Sequence, residues 1–189
     1  MKKLIINQDH LTKEEINKIV RKVRAIIFNE DGKIIISKYA GIYMLPGGKV
    51  DLNELEAESL VREIREETGI DINPSEVEPL VKIKTYARNY PERNGNITNR
   101  LMETTYYVIN TPKNIKEENT NLTDSERNNN FRLLFWDIND IDILLNEYSD
   151  NVRKQYFNNE LRMVLENFFK RHDARRNKVL QKKRWKLWI

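Results

Sequence analysis

The sequence predicts an α/β protein in which helices cover the faces of a mixed β-sheet. Short β-rich segments come first along the chain, then a helical pattern, then further β-rich segments and finally helical patterns again. This order is typical of a sheet whose strands alternate with packed helices. The length of 189 residues fits one domain with appended segments, because domains usually contain about 100–200 residues.

The N-terminal part of the chain is predicted to form one helix and three strands. Thr12 and Glu15 have the spacing of a capping box, which opens a short helix. The pair Asp31-Gly32 predicts a turn between two β-rich segments, and Pro46-Gly47-Gly48 ends a third extended segment. The predicted elements are a helix from Thr12 to about Val20 and strands at Val23–Phe28, Lys33–Lys38 and Ile42–Leu45.

A helical pattern follows Asn53. The residues expected to face the core recur at intervals of three and four, which places them on one arc of a helix. Asn53 and Glu56 have N-cap and N3 spacing, and Gly69 provides a C-terminal stop. We therefore expect a helix over Glu54–Thr68, whose inward arc consists of Ala57, Leu60, Val61, Ile64 and Thr68.

The remainder of the chain is predicted to continue the sheet and then to end in helices. The segment Asn110–Asn130 is polar, with Ile115 and Leu122 as its large apolar residues, so we expect a long surface loop. The predicted strands are Val77–Arg88, Arg100–Ile109 and Phe131–Trp136, and the predicted helices are Asp140–Glu147 and Val152–Arg171.

The composition excludes several kinds of site. The chain has no cysteine and two histidines, which excludes disulfides, a thiol nucleophile and cysteine-ligated metals. Any bound metal would then be a hard cation held by oxygen atoms. No apolar stretch approaches the roughly 18 residues of a membrane span, and the apolar run after Lys3 is too short for a signal peptide. We therefore expect a cytoplasmic protein.

The helix after Asn53 carries an unusual set of acids. Glu63, Glu66 and Glu67 are three and four residues apart, so their carboxylates project from one arc beside the apolar arc. One explanation is a solvated helix face, on which Arg62 and Arg65 offset the repulsion between the acids. The other is a divalent cation, Mg²⁺ or Mn²⁺, bound by the carboxylate oxygens. The spacing alone leaves both explanations open.

The segment from Gly48 to Ile70 resembles the Nudix box. The pattern of that box is Gly, five residues, Glu, seven residues, and then Arg-Glu-aliphatic-any-Glu-Glu-any-Gly-aliphatic. This chain departs from softer family habits at Asp51 and Asn53, where Glu and Gly are common. The fixed positions are all filled, by Gly48, Glu54, Arg62, Glu63, Ile64, Glu66, Glu67, Gly69 and Ile70.

This resemblance implies a Nudix-like α/β/α sandwich with a mixed sheet and a catalytic loop-helix, to which this chain adds an extra C-terminal helix. It also implies a metal-dependent hydrolase that cleaves the diphosphate linkage of a nucleoside diphosphate linked to a moiety X, by water attack on phosphorus. Mg²⁺ or Mn²⁺ would neutralise charge and activate the water. The alternative is a Nudix-fold nucleotide- or RNA-binding module without turnover. Such members usually lose box glutamates, and this chain keeps them.

The resemblance also assigns roles to residues of the box. It implies that Glu63 and Glu67 are the first metal ligands, that Glu66 is a third, and that the Gly48 carbonyl is a further candidate. Arg62 would orient a box glutamate, and Glu54 and Gly69 would support the loop and the helix. The general base stays open between two box acids and four acids of the polar loop. The candidates are Glu66, Glu67, Glu117, Glu118, Asp124 and Glu126.

Substrate-binding candidates lie downstream of the box, at Tyr86, Arg88 and Arg100. A tyrosine at the distance of Tyr86 resembles members that cleave dinucleoside polyphosphates, where it stacks on a base. Strands favour tyrosine, so a coincidence is the alternative. Tyr90 and Arg93 lie in or beside the same turn.

The C-terminal tail, residues 171–189, accounts for the net positive charge of the chain. It contains eight Lys or Arg and one Asp, whereas the whole chain has a net charge of +4. Basic residues interleaved with Trp185 and Trp188 are compatible with binding to RNA or to an anionic membrane surface. We favour a terminal helix that packs on its own domain or on the second subunit of a homodimer. We thus expect a Nudix domain over residues 1–170, with its core at about 22–147 and helical flanks, and a basic tail over 171–189.

Overall fold

The computed structural model describes residues 1–92, 94–146 and 152–185, in which the chain forms two sheets and four α-helices. The strands are β1 (Lys2–Ile6), β2 (Lys18–Ile26), β3 (Ile34–Tyr39), β4 (Ile42–Met44), β5 (Val77–Pro91), β6 (Ile97–Ile109) and β7 (Arg132–Trp136). The helices are α1 (Glu56–Thr68), α2 (Asp124–Asn128), α3 (Ile141–Leu145) and α4 (Val152–Trp185).

The larger sheet is mixed, with the strand order β1-β5-β6-β2. Strands β5 and β6 form an antiparallel pair at its centre, and β1 and β2 run parallel to β5 and β6, respectively. The smaller sheet is antiparallel, with the order β4-β3-β7. Strand β2 therefore lies at the edge of the mixed sheet.

Helices cover both faces of the mixed sheet. Val23 and Ala25 of β2 belong to the same buried cluster as Leu60 and Ile64 of α1. Ile26 points to the other face, because successive side chains of a strand alternate, and it belongs to a cluster that includes apolar residues of α4. This arrangement confirms the predicted α/β fold with its C-terminal helix.

The helix predicted from Thr12 to about Val20 is wrong. The capping contact itself forms, since the Thr12 N–H donates to a Glu15 carboxylate oxygen at 2.9 Å. From Lys18 onward, however, the chain pairs with β6 over nine residues. A short helix costs nucleation free energy, whereas the ladder with β6 satisfies the same backbone groups and buries Val20. The N-terminal strand β1, parallel to β5, was not predicted.

Helix α1 begins two residues later than predicted, at Glu56 rather than Glu54. Asn53 is not its N-cap, because its φ of 67° is incompatible with the extended backbone that an N-cap residue adopts. Leu55 takes that position, and its N–H donates to Glu58 Oε2 at 3.2 Å. The C-terminal stop is as predicted: Gly69 has a left-handed φ of 68°.

The segment Asn110–Asn130 is more structured than the predicted loop. It contains a 3-10 turn at Glu117–Asn119 and the short helix α2. The Lys116 N–H donates to the Thr68 carbonyl at 3.0 Å, and the Asn121 N–H donates to the Glu66 carbonyl at 2.8 Å. These bonds satisfy carbonyls that the end of a helix leaves unpaired, and they hold the segment against α1.

The C-terminal helices differ from the prediction in length. Helix α3 ends at Leu145, and the predicted end at Glu147 lies outside the described residues. Helix α4 continues past Arg171 to Trp185 and so includes most of the basic tail. The tail's last residues, 186–189, and all side chains from 173 onward lie outside the described part. None of the helices in the described ranges is long and apolar enough to cross a membrane.

Candidate active site

The loop before α1 is bonded to the edge of β2. The Val23 N–H donates to the Gly48 carbonyl and the Ala25 N–H donates to the Pro46 carbonyl, both at 3.0 Å. A Cβ added at Gly47 would lie 2.3 Å from the Val23 carbonyl oxygen, and the φ of Gly47 is +126°. Only glycine therefore fits at position 47 and readily adopts its backbone conformation. The hydrogen bonds to β2 hold the loop against the sheet.

Gly48 allows the first acid of α1 to approach the loop. A Cβ added at this position would lie 2.1 Å from Glu63 Oε2, well inside van der Waals contact. The Glu63 carboxylate therefore lies directly against the backbone of Gly48. Glycine at this position is explained by the space that the acid occupies.

Arg62 joins the loop to the acidic edge of α1. Its Nε and one terminal nitrogen donate to the two oxygens of Glu54, both at 2.8 Å. The other terminal nitrogen donates to Glu63 Oε1 at 2.9 Å and to Glu66 Oε2 at 3.2 Å. The bidentate bond from Arg62 lowers the pKa of Glu54 to about 2, and it raises the pKa of Arg62. Glu54 therefore fixes the position of the Arg62 guanidinium.

Glu67 is the most deeply buried acid of the site, with 6% of its surface exposed. Its Oε2 accepts a hydrogen bond from the Gly47 N–H at 2.9 Å and another from the Ser37 hydroxyl at 3.1 Å. Burial raises the pKa of Glu67 to about 8, although Arg24 and the Gly47 bond oppose this, and Glu63 and Glu126 add to it. Burial also raises the pKa of Glu63, against the effect of Arg62.

Each of the three box acids keeps one oxygen without a hydrogen bond from the described residues. These atoms are Glu63 Oε2, Glu66 Oε1 and Glu67 Oε1. The other carboxylate oxygen accepts from Arg62 in Glu63 and in Glu66. In Glu67 the other oxygen accepts from Gly47 and Ser37. In the described part of the chain, no group of three acidic or histidine side chains is already gathered around a metal position. The available atoms are all carboxylate oxygens, the ligands that Mg²⁺ and Mn²⁺ prefer. The residues present thus fit a hard divalent cation.

The polar segment brings further acids to the same end of α1. Glu126 is close enough to Glu67 to raise its pKa, and it caps α2 by accepting the Thr123 N–H at 2.7 Å. Glu117 and Glu118 line, together with Glu67, an open cleft of about 1080 Å³. Helix α2 is held in place by a 2.9 Å hydrogen bond between the hydroxyls of Ser125 and Tyr39. Of the loop acids predicted as base candidates, Glu126 thus has a direct electrostatic link to the site.

The downstream candidates do not join this site. The Arg88 guanidinium bonds Glu15 at 2.7 Å, and no hydrogen bond, ion pair or ring contact links Arg88 or Tyr86 to the loop or to α1 within the described residues. Arg100 is buried on the α4 side of the sheet, paired with Glu92 and 4.1 Å from the ring centroid of Tyr90. Arg93 lies outside the described residues. A substrate role for Tyr86, Arg88 and Arg100 stays a prediction.

Sequence reasoning missed two residues of the site. Ser37 bonds Glu67, and Arg24 lowers the pKa of Glu67 and donates to the Leu45 carbonyl in front of the glycines. The signal for Arg24 was a charged residue inside the β-rich run Val23–Phe28. A charge within such a run calls for a partner, because a buried unpaired cation is costly.

Comparisons with known proteins match most of the chain to one domain family. A model of the NUDIX domain family matches residues 18–157 of the chain. A curated CTP pyrophosphohydrolase from Escherichia coli (strain K12) is 42% identical over 65 residues, which cover 31% of this chain and 47% of that protein. The chain thus matches about half the length of this curated relative.

Two solved structures have a similar fold. The Escherichia coli ORF135 protein is 22% identical, with a TM-score of 0.50, covering 84% of this chain and 94% of that protein. The MutT protein from Methanosarcina mazei Go1 is 18% identical, with a TM-score of 0.53, covering 82% of this chain and 96% of that protein. Because these identities are low, the likeness shows the fold alone.

Proposed function

Since this chain belongs to the NUDIX domain family, we propose that it is a metal-dependent pyrophosphohydrolase. Its substrate would be a nucleoside diphosphate linked to a moiety X, cleaved at the diphosphate linkage by water. The observation that carries this proposal is the set of three carboxylates on one edge of α1, each with a free oxygen, beside the Gly47-Gly48 backbone.

The residues of the site would have two roles: some would bind a cation, and others orient the side chains that bind it. Glu63, Glu66 and Glu67 would hold Mg²⁺ or Mn²⁺, with the Gly48 carbonyl as a further candidate. When bound, the cation neutralises charge on phosphate oxygens and lowers the pKa of a bound water. Arg62 keeps Glu63 and Glu66 oriented, because its own position is fixed by the bidentate bond to Glu54.

The reaction itself needs positioning and charge neutralisation more than covalent chemistry. The water oxygen forms a bond to one phosphorus, and the bond from that phosphorus to the bridging oxygen breaks. The bridging oxygen leaves with the other phosphate, and the proton of the water passes to a carboxylate. Glu126 is the loop acid best supported as that base, because it lies within electrostatic reach of Glu67; Glu66 and Glu67 are the alternatives within the box.

The matched segment of the CTP pyrophosphohydrolase suggests CTP as the first substrate to test. Cleavage between its α- and β-phosphates would yield CMP and pyrophosphate. The experiment incubates the purified chain with CTP, other nucleoside triphosphates, dinucleoside polyphosphates and nucleoside diphosphate sugars. Each reaction contains Mg²⁺, Mn²⁺ or excess EDTA, and nucleotide and phosphate products are measured.

We expect turnover with Mg²⁺ or Mn²⁺, its loss in EDTA, and its return when the cation is added in excess. Undiminished turnover in excess EDTA would contradict the metal mechanism. Absence of turnover on every substrate would favour the nucleotide- or RNA-binding module instead.

A further inference from the structure

The open cleft beside Glu67 has an apolar wall formed by β7. Phe131, Leu133 and Phe135 line it and alternate along the strand, so they share the face of β7 that borders the cleft. Leu133 and Phe131 also pack against buried apolar clusters. Phe135 is 45% exposed, so its ring is open to a ligand, and the cleft volume of about 1080 Å³ is large enough for an organic group.

This wall continues from the candidate active site. Leu133 lies opposite Ser37 in the ladder between β3 and β7, and the Ser37 hydroxyl donates to Glu67 at 3.1 Å. Phe135 is two residues further along β7, opposite Ile35 and at roughly 7 Å from Leu133. A group joined to a diphosphate at Glu67 would therefore pass Leu133 and reach the ring of Phe135.

The other side of the cleft is acidic. Glu117 and Glu118 line it, and their exposed carboxylates make no hydrogen bond or ion pair with any described residue. Asp31 lines it as well and accepts a hydrogen bond from the Asn29 amide at 3.2 Å. Lys33, two residues after Asp31, lines the same region, and the acids outnumber it.

The charge of Arg132 does not alter this balance, although the residue also lines the cleft. Arg132 alternates with Phe131 and Leu133 along β7, so its side chain points to the opposite face of the strand. There it lies beside Lys38, its cross-strand neighbour, at a second cleft. The cleft beside Glu67 therefore combines an aromatic wall with a net negative charge.

This combination discriminates between three kinds of moiety X. An anionic X, such as a further phosphate, would be repelled by the acids. An uncharged X would contact the apolar wall but leave Glu117 and Glu118 without a partner. An alkylammonium group is attracted both to the face of an aromatic ring and to carboxylates, and its methyl groups can pack on the apolar wall.

We propose that the cleft binds a moiety X that carries an alkylammonium group, such as choline. This inference rests on the proposed function and specifies the X that the site accepts. The ammonium group lies over the ring of Phe135 and faces Glu117 and Glu118, while the diphosphate lies at the box acids. Hydrolysis of CDP-choline would consume one water and yield CMP and phosphocholine.

A first experiment measures binding without metal, diphosphate or turnover. NMR titrations in EDTA use choline, dimethylbutanol (an uncharged molecule of the same shape) and cytidine. They compare the wild-type chain with Phe135→Leu, which keeps an apolar side chain but removes the ring, and with the matched control Phe169→Leu. Phe169 is 37% exposed on α4 and does not line the cleft. A double variant, Glu117→Gln with Glu118→Gln, removes the acids, and melting temperatures verify that every variant folds.

We expect choline to bind the wild-type chain with a Kd on the order of 1–10 mM, and dimethylbutanol to bind more weakly. Phe135→Leu should weaken choline binding about fivefold and the double glutamine variant about threefold, with little change for Phe169→Leu. Absence of choline binding, equal affinity for dimethylbutanol, or an equal effect of the two phenylalanine substitutions would overturn the proposal. So would weaker cytidine binding by Phe135→Leu with choline unaffected, because the nucleoside would then occupy the cleft.

A second experiment applies the phenylalanine variants to turnover. The ratio of kcat/KM for CDP-choline to kcat/KM for CTP is measured with Mg²⁺ for the wild-type chain and for both variants. Phe135→Leu should lower this ratio about fivefold, because the phosphate that CTP carries in place of choline gains nothing from the ring. Phe169→Leu should leave the ratio unchanged. An unchanged ratio in Phe135→Leu would overturn the assignment.

The two experiments separate this inference from the proposed function. If no nucleotide is hydrolysed, while choline binds with the expected dependence on Phe135, the proposed function fails and the alkylammonium site stands. If CTP is hydrolysed but choline does not bind, the inference fails and the proposed function stands.

Discussion

The acids of α1 and of the loop before it differ in how much their ionised forms depend on a bound cation. Glu54 is ionised and satisfied by Arg62. Glu63 and Glu67 are carboxylates whose burial raises their pKa values, so their charged forms are held at a cost in free energy. A divalent cation would offset that cost, since oxygen-rich sites with several carboxylates favour such ions. Glu63 and Glu67, whose carboxyl groups have raised pKa values, are the two acids that the resemblance implies as the first metal ligands.

Replacing these acids by amides tests the assignment. We expect Glu63→Gln and Glu67→Gln each to lower kcat by about 10²-fold or more, because each removes a charge that would hold the cation in the transition state. Steady-state rates at saturating Mg²⁺ measure the effect. Glu58→Gln is the matched control, because glutamine at this position can still accept the Leu55 N–H. Wild-type rates in both test variants would contradict the assignment.

Glu67 also predicts how the stability of the metal-free protein depends on pH. Its pKa is about 8 in the folded chain against an ordinary value of 4.5, so between these values the folded chain binds a proton that the unfolded chain has lost. The free energy of unfolding in EDTA should therefore fall as pH rises from about 5 to 8, by on the order of a few kcal/mol. Denaturant unfolding of wild type and Glu67→Gln measures this. The amide cannot ionise, so its profile should be flatter; parallel profiles would show that Glu67 is not the group responsible.

At the scale of elements, the loop before α1 and α1 itself are tightly packed, because the Glu63 carboxylate lies where a side chain at position 48 would lie. Gly48→Ala would place a Cβ 2.1 Å from Glu63 Oε2, so the carboxylate must move. We expect this substitution to reduce kcat by about tenfold or more, since small displacements of positioned groups are costly to catalysis. The melting temperature should change little, because the side chain of Glu63 is the part that gives way. Unchanged kinetics would show that Glu63 need not lie against position 48.

Elements whose signals are local were predictable from the sequence. The core-facing arc and Gly69 placed α1 to within two residues, since both signals act within the helix itself. The segment after Thr12 was mistaken for a helix because its capping contact is local, whereas its pairing with β6 involves residues about eighty positions away. The same limit applies to Arg24 and Ser37: their contacts with Leu45 and Glu67 depend on how β2, β3 and α1 come together.

At the scale of the whole molecule, α4 ties the two ends of the chain to the sheet. Tyr156 donates to Asp9 at 2.6 Å near the N-terminus, and Arg171 bonds the Pro79 carbonyl at 2.9 Å and the Glu78 carboxylate at the start of β5. Phe168 packs 5.8 Å from Phe28, between ring centroids. The boundary expected at residue 170 therefore falls inside a packed helix, one residue before a side chain that contacts the sheet. Where the domain ends and the tail begins is a proposal that truncation can test.

Deleting residues 171–189 separates the two interpretations of the tail. If the tail packs on its own domain or on a second subunit, the deletion should lower the melting temperature or change the mass in solution, while hydrolysis per folded molecule changes little. We expect this outcome, because Arg171 already bonds β5 and the tail includes Trp185, Leu187, Trp188 and Ile189, more apolar surface than an electrostatic arm needs. A second deletion of 173–189 keeps Arg171 and isolates the part beyond it.

If the tail instead binds RNA or anionic lipid, the melting temperature and the mass in solution should not change when it is deleted. Affinity for that polyanion should fall, and its salt dependence should become shallower because fewer phosphates are neutralised. Calorimetry, light scattering and binding to a short RNA and to anionic vesicles decide between them, and unchanged melting and mass with lost binding would show that packing is the wrong interpretation.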